Sequence, residues 1–144
     1  MARLLAGHFV YEPETMKFAI ALLAGPQDPA ARSALKFAEA VLASGHQISR
    51  LFFYRDAVHL ASTLGVQPQD ECDLARSWSA FISENDLDAV VCIAAALRRG
   101  VLNEAEADRW ERPAANTGSP WALSGLGQWV DALQTADRAV TFGT

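Results

Sequence analysis

Phe18-Ala19-Ile20-Ala21-Leu22-Leu23-Ala24-Gly25-Pro26 is an apolar run stopped by a breaker pair, and together with the helix pattern after it this stretch decides the fold. A run with almost no polar residue suits a strand covered on both faces. Asp28 then stands before Pro29, the pattern of a side-chain cap with proline at the first helical position. Ala31, Ala34, Leu35, Ala38, Val41 and Leu42 recur at helical spacing, which gives one apolar face. Gly45 closes that helix as a left-handed cap. A buried strand leading into an amphipathic helix is the opening half of a βαβ unit.

The rest of the chain repeats this alternation. Ile48 to Tyr54 is a second strand candidate, rich in β-branched and aromatic residues. Arg55 to Gln69 is mixed, with Gly65 and Pro68 as breakers. A helix is predicted from about Cys72 to Glu84, capped by Asp70, with Leu74, Trp78, Phe81 and Ile82 as its buried stripe. Ala89-Val90-Val91-Cys92-Ile93-Ala94 reads as a third buried strand. A short helix starts at Asn103, where Glu106 completes a capping-box pattern. Trp110 to Pro120 reads as a loop. Another helix begins near Leu126 with Trp129, Val130 and Leu133 facing inward, and Ala139 to Phe142 is the last strand. Alternating strands and helices favour a mainly parallel sheet with helices on both faces, joined by right-handed crossovers. The expected fold is a three-layer α/β/α, flavodoxin-like and doubly wound. One domain is expected over residues 16–144. Residues 1–15 are expected to be a disordered or adventitious leader, with Met16 a candidate start.

At 144 residues the chain is long enough for one real core. Its hydrophobic and charged fractions, 51% and 20%, are those of an ordinary globular protein. A net charge of -5 repels phosphate backbones, so direct nucleic-acid binding is not expected. Two cysteines are too few for a secreted disulfide scaffold, which points to a reducing, cytoplasmic setting. The longest apolar run, Ala89 to Leu97, is far short of the roughly 20 residues that span a bilayer. The first residues lack the long apolar core of a secretion signal.

In open α/β sheets, sites form beyond the carboxyl ends of the strands. Cys92 lies late in a buried strand and precedes Ala94, Ala95 and Ala96, then Arg98, Arg99 and Gly100. A thiolate is the reactive form of cysteine. Positive potential from Arg98 and Arg99 would favour it, and small neighbours would let another sulfur approach. The competing reading is packing, because free cysteines are among the most buried residues. Cys72 stands between Glu71 and Asp73 at a helix start, where the acids oppose ionisation. His8, His46 and His59 show no zinc-ligand spacing. A Cys92–His59 hydrolase pair is a conceivable nucleophile and base, against a plain loop histidine. Ser124-Gly125-Leu126-Gly127 precedes a helix and reads either as a tight turn or as an anion cradle. Trp110 and Trp121 lie in or beside the loop, serving either local packing or a protein interface.

Several segments together resemble one family. Leu87-Asp88-Ala89-Val90-Val91-Cys92-Ile93-Ala94-Ala95-Ala96-Leu97-Arg98-Arg99-Gly100-Val101 is similar to the cysteine segment of the DsrE/TusD sulfur-relay family. Met16-Lys17-Phe18-Ala19-Ile20 and Leu51-Phe52-Phe53-Tyr54-Arg55-Asp56-Ala57-Val58 match upstream, and Ser124-Gly125-Leu126-Gly127-Gln128 and Ala136-Asp137-Arg138 downstream. The resemblance runs in order from Met16 to Thr144 and leaves out residues 1–15. It implies a DsrEFH-like three-layer domain. It implies assembly with TusB-like and TusC-like subunits as a heterohexamer with two copies of each. It further implies that Cys92 takes sulfane sulfur from a TusA-like donor and gives it to a TusE-like acceptor for thiolation of the tRNA wobble uridine. No cofactor or metal is called for, since the exchange occurs at sulfur. Three other readings stand beside it: a DsrE-like carrier in sulfur oxidation, a non-catalytic scaffold subunit, and the His59 hydrolase.

Overall fold

A computed structural model describes residues 2–5, 7–11 and 13–144, with side chains from Pro13 onward. Five parallel strands form the main sheet: β3 (Lys17–Leu22), β4 (Gln47–Phe53), β5 (Ala89–Cys92), β6 (Trp121–Ser124) and β7 (Arg138–Phe142). Their order across the sheet is β6-β5-β4-β3-β7. The chain therefore walks outward from β3 to β6, then returns past β3 to add β7 on the far edge. Right-handed crossovers place the connections of the outward walk on one face and the returning connection on the other.

The helices obey that rule. α1 (Pro29–Ala43) joins β3 to β4, and α2 (Leu74–Glu84) joins β4 to β5 after a 3₁₀ helix at Arg55–Ala61. α3 (Ile93–Arg98) and α4 (Glu104–Arg109) join β5 to β6, and α5 (Gly127–Thr135) is the return. Successive side chains of a strand point to opposite faces. Phe53 packs edge-on against Trp78 of α2, with ring centroids 5.3 Å apart. Its neighbour Phe52 stacks at 5.9 Å on Trp129 of α5. Consecutive phenylalanines thus serve the two layers, and the three-layer expectation holds.

The cap of α1 is as the sequence predicts. Asp28 accepts a hydrogen bond from the Ala30 N–H at 2.8 Å, Pro29 opens the helix, and Gly45 sits at φ 81° beyond its end. α2 starts two residues later than expected. Its cap is Asp73, which accepts from the Arg76 N–H at 3.0 Å, and not Asp70. The third strand ends at Cys92 rather than Ala94, because the adjoining alanine run is a strong helix former and opens α3. The sequence pattern does not predict strand β6. Its four residues lie between Pro120 and Gly125 and carry too short a pattern to register.

Two further expectations change. The first residues hold a two-stranded antiparallel hairpin, β1 (Ala2–Leu5) with β2 (His8–Tyr11), apart from the main sheet. Gly7 supplies the φ of 78° that a tight hairpin turn needs. Val130 and Leu133 of α5 do not face inward: they are 51% and 44% exposed. One short helix cannot roof a five-stranded face, and α5 packs mainly over β3 and β4. The positions of the edge strands that share that face, Ala122, Ala139 and Thr141, are exposed.

Candidate functional site at the carboxyl ends of β5 and β6

Cys92 is both the last residue of β5 and the residue that caps α3. Its register partner across the sheet is Ser124, the last residue of β6. Adjacent parallel strands lie about 4.8 Å apart, so the two residues are immediate neighbours. From Cys92 the chain leaves towards α3, on the side of α2, whereas from Ser124 it leaves towards α5. Neighbouring strands whose connections depart to opposite faces create a crevice at their carboxyl ends, where open α/β sheets place their ligands. Cys92 and Ser124 stand at that strand-end position. The pairing depends on the β5–β6 register, and because the sequence does not signal β6, it does not signal Ser124 as a partner either. From sequence, Ser124 is legible only as part of the Ser124-Gly125-Leu126-Gly127 turn.

The Cys92 residue is 3% exposed and its thiol is free. Among the described residues it has no hydrogen-bond partner. Alternation along β5 and register with Ser124 place it on the α5 face with Val90, while Phe52 and Tyr54 of the neighbouring β4 segment share that face. Beyond it, Ala94 is exposed and Ala95 buried, so the first turn of α3 presents little side-chain bulk. The turn that follows the thiol is small, and the thiol itself is recessed.

The two arginines do different things. Arg99 donates from Nε to Asp56 Oδ1 at 2.9 Å and from a terminal nitrogen to the Ala95 carbonyl at 3.2 Å. Its charge is matched by Asp56, which belongs to the 3₁₀ helix after β4. Arg98 is exposed and has no ion pair among the described residues. Arg98 stands six positions beyond Cys92 along α3, a rise of about 9 Å. Neither guanidinium hydrogen-bonds the thiol.

The other candidates disperse. Cys72 is exposed, with its sulfur 3.9 Å from the Ser77 hydroxyl, and it forms no disulfide with Cys92. His59 is exposed on the 3₁₀ helix and makes no hydrogen bond to Cys92. His46 is structural: its Nδ1 accepts from the Met16 N–H at 3.3 Å and its ring lies 5.7 Å from that of Phe18. His8 lies outside the residues described with side chains. No group of three or more His, Cys, Asp or Glu residues is arranged to hold a metal among the described residues. No helix there is long and apolar enough to cross a membrane. Trp121 is buried against Phe53 at 4.9 Å, whereas Trp110 is 51% exposed.

Comparisons with known proteins show the family and the fold. The model of the DsrE/DsrF-like family matches residues 16–142. A sulfurtransferase TusD homolog of Pseudomonas aeruginosa is 63% identical over 89% of this chain and 98% of its own length. A putative sulfurtransferase DsrE of Allochromatium vinosum is 45% identical over 89% of the chain and 99% of its own. Sulfurtransferase TusD of Salmonella enteritidis is 43% identical over 88% of the chain and all of its own. Among solved structures, the ychN protein of E. coli superposes with a TM-score of 0.67 at 17% identity, over 90% of this chain and all of that one, which shows a shared fold. With a family match across nearly the whole described domain and relatives of this identity, the chain belongs to the DsrE/DsrF-like family.

Proposed function

We infer that the protein is a sulfurtransferase that carries sulfane sulfur as a persulfide on Cys92. The observation that supports it most is the thiol's place at the strand-end crevice, in a chain whose curated relatives are named sulfurtransferases. The exchange balances without a cofactor. The Cys92 thiolate attacks the outer sulfur of a donor persulfide, the donor's S–S bond breaks, and the donor leaves as a thiolate. An acceptor thiolate later attacks the outer sulfur on Cys92 and regenerates the thiolate there. The donor is TusA-like and the acceptor TusE-like, and the sulfur ends in the wobble uridine of tRNA. The 63% identity to a TusD homolog supports that route, whereas DsrE at 45% and Salmonella TusD at 43% do not separate it from sulfur oxidation. Cytoplasmic chemistry suits two free thiols. Arg98 supplies positive potential at the far end of α3 rather than contact with the sulfur, while the charge of Arg99 is matched by Asp56.

The chain works in an assembly with TusB-like and TusC-like subunits, two copies of each. The sheet face that α5 leaves open, with Leu126, Val130 and Leu133 exposed, supports burial against other subunits. The residue's 3% exposure favours one competing reading, a scaffold subunit whose cysteine merely packs.

Mass spectrometry separates the two. In a Cys72→Ser background, incubation with inorganic polysulfide or a loaded donor should add sulfur to the intact chain, removable by a reductant. The added mass should vanish in Cys72→Ser/Cys92→Ser. Equal gain by both variants would end the assignment to Cys92.

A further inference from the structure

Beyond the end of α3 lies a groove of about 570 Å³ that the thiol chemistry does not use. Leu97, Leu102, Trp110 and Pro113 make it apolar, and Arg98 and Arg112 stand on its rim. Neither guanidinium has a hydrogen bond or ion pair among the described residues, although the chain carries a net charge of -5. Two unmatched cations beside an apolar floor, in an acidic protein, form a surface complementary to a carboxylate next to an apolar side chain.

The groove is also built before anything enters it. Trp110 is half exposed, yet its indole N–H donates to Oε2 of the buried Glu106 at 2.9 Å. Arg109 lies over its ring at 5.3 Å and pairs with the same Glu106 at 3.7 Å. Asn116 fixes the floor: it accepts from the Leu102 N–H and donates to the Gly100 carbonyl, each at 2.8 Å. A rigid, exposed tryptophan flanked by arginine has the composition of an interface anchor. An aromatic already held in place loses little conformational freedom on binding.

We propose that this groove docks a segment of the partner protein that exchanges sulfur with Cys92, a segment bearing an acidic side chain beside a large apolar one. This rests on the persulfide reading and extends it to the partner. The groove begins at the carboxyl end of α3 and Cys92 at its amino end, about 9 Å apart along the helix. An extended chain covers that in about three residues. The acidic residue of the docking pair therefore stands at least about three residues from the partner's reactive cysteine.

The test uses synthetic peptides and two readouts. With Cys92 loaded in the Cys72→Ser chain, acetyl-Leu-Glu-Gly-Gly-Cys-amide should remove the sulfur about tenfold faster than its Gln counterpart, the scale of a favourable charge contact. In Arg112→Glu that preference should vanish or invert, a ratio that a general loss of stability would not reverse. Independently, the serine version of the peptide, which cannot accept sulfur, should shift the Trp110 indole and the Gly100 and Leu102 amide resonances of the unloaded chain. Those shifts in a chain that never loads sulfur would uphold the groove while removing the persulfide reading. Sulfur loading with no preference for Glu over Gln and no indole shift at millimolar peptide would overturn the groove and leave the persulfide reading intact.

Discussion

Cys92 and Cys72 illustrate how far residue type is from residue behaviour. Both are free thiols, but Cys72 is exposed and Cys92 is 3% exposed at a strand-to-helix junction. A disulfide reagent attacks the sulfur it can reach, so the isolated native chain should label at Cys72 first. Labelling of Cys92 should lag by about tenfold or more, since it awaits local opening of the junction. Peptide mapping over time after quenching reads this directly, and equal rates at both positions would contradict the recessed geometry. Addition of the cognate subunits should speed Cys92 if partners help expose it. Arg99 is a second case: a guanidinium with sequence neighbours that suggest anion binding is spent largely on Asp56 and the Ala95 carbonyl.

At the scale of elements, Arg50 makes the polar connections between the sheet and α5, beside the Phe52–Trp129 stack. Arg50 of β4 is 16% exposed and reaches Asp88 at 2.8 Å, Asp131 of α5 at 3.3 Å and the Gln128 carbonyl at 2.8 Å. Arg50→Ala removes all three and leaves their acceptors to water. The expected loss is about 1–3 kcal/mol of stability, read from the urea midpoint. Amide hydrogen exchange should rise most in α5, whose apolar contacts are few. Glu106 shows the same dependence on tertiary context. Its spacing from Asn103 forms a capping-box pattern, and Asn103 does accept from the Glu106 N–H at 2.9 Å. The Glu106 carboxylate turns instead to Trp110 and Arg109, because burial beside an indole N–H rewards that bond.

For the whole molecule, the unequal covering of the two sheet faces is the main consequence of topology. Three crossovers cover one face and a single return helix lies on the other. Val130→Asp and Leu133→Asp place charge on the exposed flank of α5, where the isolated chain has room for it. Thermal stability of the isolated chain should change by less than about 1 kcal/mol, as at ordinary surface sites. Co-purification with the other subunits should fall sharply if that face is the assembly surface. Retention of the full assembly on a sizing column would reject that surface.

The amino-acid sequence by itself determined the α/β class and the first strand–helix unit with its Asp28-Pro29 start, while Cys92 stood out through the family resemblance and not through its spacing, which suits packing as well. The first two features are local: periodicity and capping act over a few residues and survive without knowledge of the fold. Strand β6, the Cys92–Ser124 pairing, the neutralised Arg99 and the outward turn of Val130 and Leu133 were decided by tertiary structure alone. Each depends on which segments lie side by side in the sheet and on how much surface one helix can cover. Those long-range relations, here set by a chain that doubles back from β6 to β7, leave no pattern within any short window of the sequence.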